Sequence, residues 1–210
     1  MARPEGSIGA VTRERILDEA ERIFADSDFS ATRLEDVAQA VGIRRPSILY
    51  YFPSKQHLYE AVENRAFTAL VARVRSGVEA ACGGHFSRVI ALLDATLDFL
   101  VARPTLARII LRDSVASYSD EDEPVRHSGP MVELWERVVR EGQAAGELAD
   151  GVPLHFMQLL GSGILFFAAT AGVVGSGRRY DPVAPEQFEA YRALMHAAAY
   201  STLRRPKVQA

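Results

Sequence analysis

Thr32–Lys55, TRLEDVAQAVGIRRPSILYYFPSK, is the stretch whose reading decides the fold. Val37, Ala38, Val41 and Ile43, followed by Ile48 and Tyr51, make two short apolar stripes at helical spacing that meet around Gly42. Two helices must cross there, with Ala38 small at the point of approach and Gly42 at the turn, where a left-handed backbone costs glycine little. Thr32 and Glu35 have the T-x-x-E spacing of a capping box, which predicts the start of the first helix. Pro46 falls in the first turn of the second helix, where its missing N–H does no harm. The residues before it, Ile43, Arg44 and Arg45, offer no polar cap, an omission that costs about 1 kcal/mol.

Broken local rules gather at functional sites. Here the capping position is given to cations, and no acidic residue occurs between Asp36 and Glu60, whereas Arg44, Arg45, Lys55 and His57 do. The stretch reads as a helix-turn-helix whose second helix presents a positive face with hydrogen-bonding Ser47, Tyr50 and Tyr51. That face suits a polyanion.

From about Thr12 to Leu58 the chain resembles the DNA-binding domain of the TetR family: a first helix, then ATRLEDVAQAVGI, then RRPSILYYFPSK running into a long fourth helix. The resemblance implies an all-α protein. An N-terminal three-helix domain, residues 1–53, is joined by the long helix to a larger helical effector-binding and dimerisation domain, residues 54–210. It implies DNA contacts from Thr32, Arg33, Arg44, Arg45, Pro46, Ser47, Tyr50, Tyr51 and Lys55. Arg44 or Arg45 is suited to read guanine O6 and N7 with a bidentate fork, and Thr32, Tyr51 and Lys55 to hold phosphates. Two positions depart from the family pattern: Arg33 stands where a small hydroxyl residue is common, and Leu49 where a tyrosine is common. The phosphate contact of that tyrosine falls to Tyr50 or Arg33.

The bulk properties fit a local interface. A 210-residue chain with 48% apolar and 24% charged residues builds a globular core, and a net charge of −3 excludes a uniformly basic nucleic-acid binder. A single cysteine, Cys82, excludes an intrachain disulfide, and no apolar run of signal-peptide type opens the sequence. A cytoplasmic location is expected. Residues 1 to about 11 read as a frayed arm, able in principle to reach a minor groove. Thr12 is the expected cap of the first helix, whose stripe is Ile16, Leu17, Ala20, Ile23 and Phe24, with Phe29 in the same small core. Leu58, Ala61, Val62 and Phe67 carry the long helix onward from Ser54.

After Gly83 and Gly84 the pattern is helical with no alternating strand run. Stripes from Phe86 to Leu100, from Leu106 to Val115 and from Met131 to Val139 predict three amphipathic helices. Arg112 and Asp113 fall near an apolar side. The acidic run at Asp120, Glu121, Asp122 and Glu123 lacks an EF-hand's spacing and glycine and reads as a solvated loop, so no metal is expected. No nucleophile elbow, zinc-ligand spacing or phosphate loop points to an enzyme or a cofactor.

Val152–Gly177 contains no Asp, Glu, Lys or Arg, which raises the question of a membrane span. His155, Gln158, Ser162 and several glycines argue against one, and a helix apolar all round fits burial between its own domain and a second subunit. Gly161, Gly163, Ala168, Ala169, Ala171 and Gly172 permit close approach. The last helix runs from about Pro185 to Leu203.

By the family resemblance the last two long helices of each subunit form a four-helix C2 dimer interface, here through Phe166, Phe167, Phe188, Tyr191 and Met195. The resemblance further implies two recognition helices entering successive major grooves of a palindromic operator. A small, largely apolar effector held near Phe99, Met131, Trp135, Phe156 and Met157 would act through the long helix to release the DNA, with repression the family's commoner mode. The contrasting reading is a helical lipid- or small-molecule-binding module, membrane-associated and without sequence-specific DNA binding.

Overall fold

The computed structural model describes residues 8–27, 29–115, 126–170, 172–174 and 178–205. The acidic run at 120–123 and the arm residues 1–7 lie outside the described residues. The chain divides into two compact units, residues 1–66 and 67–210, with the division inside a helix.

In the first unit, α1 (Ile8–Asp26) is followed by α2 (Leu34–Val41), α3 (Arg45–Tyr51) and the first turns of α4 (Lys55–Ala80). Helix α1 begins ahead of the cap expected at Thr12; a hydroxyl side chain favours a helix start but does not forbid a preceding turn. Of its stripe, Ile16, Leu17, Ala20 and Phe24 are buried, as are Val37, Val41, Ile48, Leu58 and Val62, while Ile23 is half-buried. Phe29 completes this core through ring contacts with Phe24 at 6.1 Å and Tyr59 at 5.1 Å.

Helix α1 is also bound to α4 electrostatically. Glu14, Asp18 and Glu21 recur every three or four residues and so share one side of α1, where the Arg65 guanidinium meets all three at 3.1, 2.7 and 3.3 Å. Burial works against the Arg65 charge, but its bonds to Asp18 and Glu14 and the nearby Glu21 more than offset it, and its pKa is raised.

The second unit contains the rest of α4, then α5 (His85–Ala102), α6 (Pro104–Val115), a short 3₁₀ turn at Arg126–Ser128, α7 (Gly129–Ala144), α8 (Pro153–Ala169) and α9 (Pro185–Leu203). Helix α8 lies centrally, packed on α5, α6, α7 and α9. Its inward residues Leu160, Ile164, Phe167 and Ala168 meet a core that includes Leu93, Leu97, Leu134, Trp135 and Val138. Gly77 lets α4 close on α5, since a Cβ there would stand 3.2 Å from that of Ala95. Asp94 and Asp98 of α5 hold Arg192 of α9 at 3.0 and 2.7 Å, with His196 on Asp94 at 2.8 Å.

One feature departs from the strand-free pattern. After α8 ends at Ala169, Gly172–Val174 (β1) pairs antiparallel with Arg178–Tyr180 (β2), Val173 opposite Arg179. The β-branched pair Val173–Val174 between glycines suits a strand better than a continued helix. The apolar stretch therefore contributes a helix of 17 residues, and no described helix is long and apolar enough to cross a membrane.

Candidate nucleic-acid interface

The two helices of the Thr32–Lys55 stretch are joined by a turn that only a few backbone conformations allow. Gly42 is left-handed, with φ 76° and ψ 32°. It lets the Ile43 N–H reach the Ala38 carbonyl at 2.9 Å and the Gly42 N–H reach that of Gln39 at 3.1 Å, the paired bonds of a Schellman stop. Arg15 of α1 adds a guanidinium bond to the Val41 carbonyl at 2.9 Å. The Ala38, Gln39 and Val41 carbonyls at the end of α2 thereby have partners.

The start of α2 differs from the expected capping box. The cap is Arg33, one residue later than Thr32, and its N–H donates to Asp36 Oδ2 at 3.0 Å. A guanidinium has no acceptor, so it cannot return a bond to the helix, and only the acidic half of the box is made. Thr32 is 3% exposed. Glu35 instead turns to α3, where its Oε1 pairs with Arg45 Nε at 3.0 Å.

Helix α3 starts without a side-chain cap at Arg44, as the sequence implied, and carries Pro46 in its first turn. Ile48 is its one buried residue, at 0% exposure. Arg44, Arg45, Pro46, Ser47, Leu49 and Tyr50 are exposed and Tyr51 is half-buried. Tyr50 stands 83% exposed with its ring edge-on to Tyr51 at 5.1 Å. A helix anchored by one side chain and otherwise open is arranged to meet something else.

Helix α4 has a cap that the sequence reading passed over. Ser54 Oγ accepts the His57 N–H at 3.2 Å and lies 2.8 Å from His57 Nδ1. Serine three residues ahead of a polar residue at a helix start was the available signal. Lys55, the first residue of α4, sends its ammonium to the carbonyls of Phe29, Thr32 and Ser30.

The expected effector and interface residues divide by burial. Trp135 is 1% exposed, with Nε1 donating to the Pro153 carbonyl at 2.7 Å, which places it in the core at the start of α8. Phe99, Met131, Phe156 and Met157 are half-buried. Phe167 and Met195 are buried within their own unit, and Phe167 stacks on Tyr191 at 3.9 Å. Gly163 makes room for the Tyr191 hydroxyl, so this small residue serves packing of α8 on α9 within one chain. Phe166, by contrast, is 60% exposed, with Leu159, Leu194 and Tyr200 more than half exposed on the same two helices. Leu194 falls on the apolar side that the spacing of the last helix predicts, whereas Leu159 and Tyr200 carry no sequence signal, because exposure is not written in apolarity.

The family model described as "Bacterial regulatory proteins, tetR family" matches residues 16–62. Over 50 residues the chain is 44% identical to the HTH-type transcriptional regulator RutR of Escherichia coli K12, 24% of each chain being covered. Over 48 residues it is 35% identical to the biofilm operon icaADBC HTH-type negative transcriptional regulator IcaR of Staphylococcus aureus Newman, covering 23% of this chain and 26% of the relative. The chain thus matches about a quarter of the length of these curated relatives. The structure resembles that of the transcriptional regulator FadR from Bacillus subtilis in complex with stearoyl-CoA, with a TM-score of 0.68 over 88% of this chain and 97% of that one, at 16% identity. That likeness is one of fold. Residues 16–62, which include the Gly42 turn and α3, are the part of the chain that is similar to the tetR family of bacterial regulatory proteins.

Proposed function

We propose that the chain is a ligand-responsive transcriptional regulator that binds a palindromic DNA operator as a homodimer in the cytoplasm, represses transcription, and is released by a small, largely apolar molecule. The observation that carries this reading is α3, a helix that buries only Ile48 and exposes Arg44, Arg45, Ser47 and Tyr50. Guanidinium forks on such a helix suit guanine O6 and N7 in a major groove. Arg33 and Tyr51, beside them, are placed to hold backbone phosphates.

Two relatives support the rest by analogy. IcaR is described as a negative transcriptional regulator, and the FadR structure holds stearoyl-CoA. In the second unit here, Phe99, Met131, Phe156 and Met157 keep part of their surface exposed and are the residues we assign to an apolar effector. Dimerisation is assigned to Leu159 and Phe166 of α8 with Leu194 and Tyr200 of α9. A C2 axis would bring exposed apolar residues of α8 and α9 onto those of a second copy. Helix α4 begins in the first unit and ends in the second, and it is the element proposed to link effector and DNA.

Selection of bound duplexes from a random pool tests the DNA-binding reading. Enrichment of a palindrome, with affinity falling steeply as salt rises, is the expected outcome. Failure to enrich any palindrome overturns it. A small-molecule screen for release of the enriched duplex then tests the effector class, and release by polar, charged metabolites alone would contradict an apolar one.

A further inference from the structure

We infer that Lys55 serves DNA recognition as a positioning residue, a clamp that ties the two ends of the helix-turn-helix together, and makes no phosphate contact of its own. The inference rests on the DNA-binding reading above. Lys55 Nζ lies 2.6 Å from the Phe29 carbonyl, 2.9 Å from that of Thr32 and 3.4 Å from that of Ser30. An ammonium has three donors and no acceptor, so three carbonyls fill its capacity. The same cation sits 4.4 Å from the centre of the Phe29 ring, which itself is fixed by Phe24 and Tyr59.

These carbonyls belong to the connection between α1 and α2, which lies outside both helices and whose backbone acceptors need partners from elsewhere in the chain. Thr32 immediately precedes the cap of α2, and Lys55 follows α3 by four residues. The bond therefore joins the two ends of the segment that holds both helices. With the Schellman stop at Gly42 in its middle, the segment is fixed at three points, and α2 and α3 are held in one mutual orientation. To reach a phosphate the ammonium would have to leave three oxygens and an aromatic face. Arg44, exposed, faces no such cost, and Arg45 is engaged through Nε by one exposed carboxylate, that of Glu35.

The test uses the full-length chain with Lys55→Met and Lys55→Arg. Each variant is titrated at several salt concentrations against the duplex that the wild-type chain enriches and against a random-sequence duplex. Amide hydrogen exchange of residues 29–34 is followed without DNA. For the clamp, Lys55→Met weakens the enriched duplex by roughly tenfold or more, leaves the random duplex nearly unchanged, keeps the salt slope, and speeds exchange at 29–34. Lys55→Arg does not restore the loss, because a planar fork cannot surround one point with three donors. A phosphate contact gives the opposite set: a salt slope smaller by about one, equal loss on both duplexes, rescue by arginine, and unchanged exchange. That set overturns the inference. Exchange without DNA judges the clamp separately, so a wild-type chain that enriches no duplex would sink the functional reading while unaltered exchange in Lys55→Met would sink the clamp.

Discussion

The α2–α3 segment and the α8–α9 pair both leave surface uncovered, but they do so in opposite chemistries. Helix α3 buries Ile48 and shows arginines, serine and tyrosine. Helices α8 and α9 share a well-packed seam at Phe167, Tyr191 and Met195, yet show Leu159, Phe166, Leu194 and Tyr200. A polar surface with one apolar anchor is stable in water until a polyanion arrives. Large exposed apolar side chains are favourable only when something removes them from water. The first surface is suited to reversible, salt-sensitive contact and the second to a lasting one.

The comparison breaks most visibly at the anchor. Ile48→Ala removes the only buried side chain of α3 and should cost about 2–5 kcal/mol, the usual range for such truncations. DNA binding should vanish while the helices of the second unit persist. Urea unfolding followed by circular dichroism, beside a DNA titration, checks both halves. Retained affinity in Ile48→Ala would mean that α3 is held by contacts other than this one.

The exposed apolar residues of α8 and α9 can be tested with a charge. Phe166→Glu places a carboxylate in the surface assigned to the second copy, where an unpaired charge is costly to bury. The expected result is a monomer by sedimentation at concentrations where the parent chain is dimeric, with Tm little changed because Phe166 is already 60% exposed. Phe167→Glu is the contrast: its side chain is buried at 3% exposure, so that variant should fail to fold. If Phe166→Glu stays dimeric, the interface lies elsewhere.

These two regions were not equally legible in the sequence. In the α2–α3 segment each feature depends on a residue type that few others replace: Gly42 for a left-handed turn, Pro46 for a first turn, Ile48 for an anchor. Local rules therefore carried far, and the error at Thr32 was a shift of one residue, because Asp36 and Glu35 both offered a carboxylate and the backbone took Asp36. In α8 nearly every residue is apolar, and periodicity has nothing to mark the covered side. Phe166 and Phe167 are adjacent and chemically identical, but successive residues on a helix point about 100° apart, so one is core and one is surface. Lys55 is a related case: a cation in a positive segment reads as a phosphate ligand, and the carbonyls that surround its ammonium, which carry the clamp proposed above, become visible only in the structure.

A smaller effect separates reading from holding within the polar surface. Arg45→Ala should weaken the enriched duplex by about 1–3 kcal/mol and relax one base position. Repeating the duplex selection with the variant shows whether a single position loses its preference. Equal losses on enriched and random duplexes would remove Arg45 from the reading residues and leave it as general positive charge.

Glu35→Gln should produce the smallest change and the most informative sign. The Glu35–Arg45 pair is exposed on both sides, at 57% and 55% of the side chains, so its loss should alter stability by less than about 1 kcal/mol. Toward DNA the carboxylate has two opposed effects. It repels phosphates, which weakens every duplex alike, and through Arg45 Nε it fixes the direction of a guanidinium whose terminal nitrogens are left to form a fork. Glutamine removes the repulsion and loosens the direction. Random duplex should then bind slightly more tightly, while the preference at the base read by Arg45 narrows. If both duplexes tighten by the same factor, Glu35 acts on DNA only through its charge.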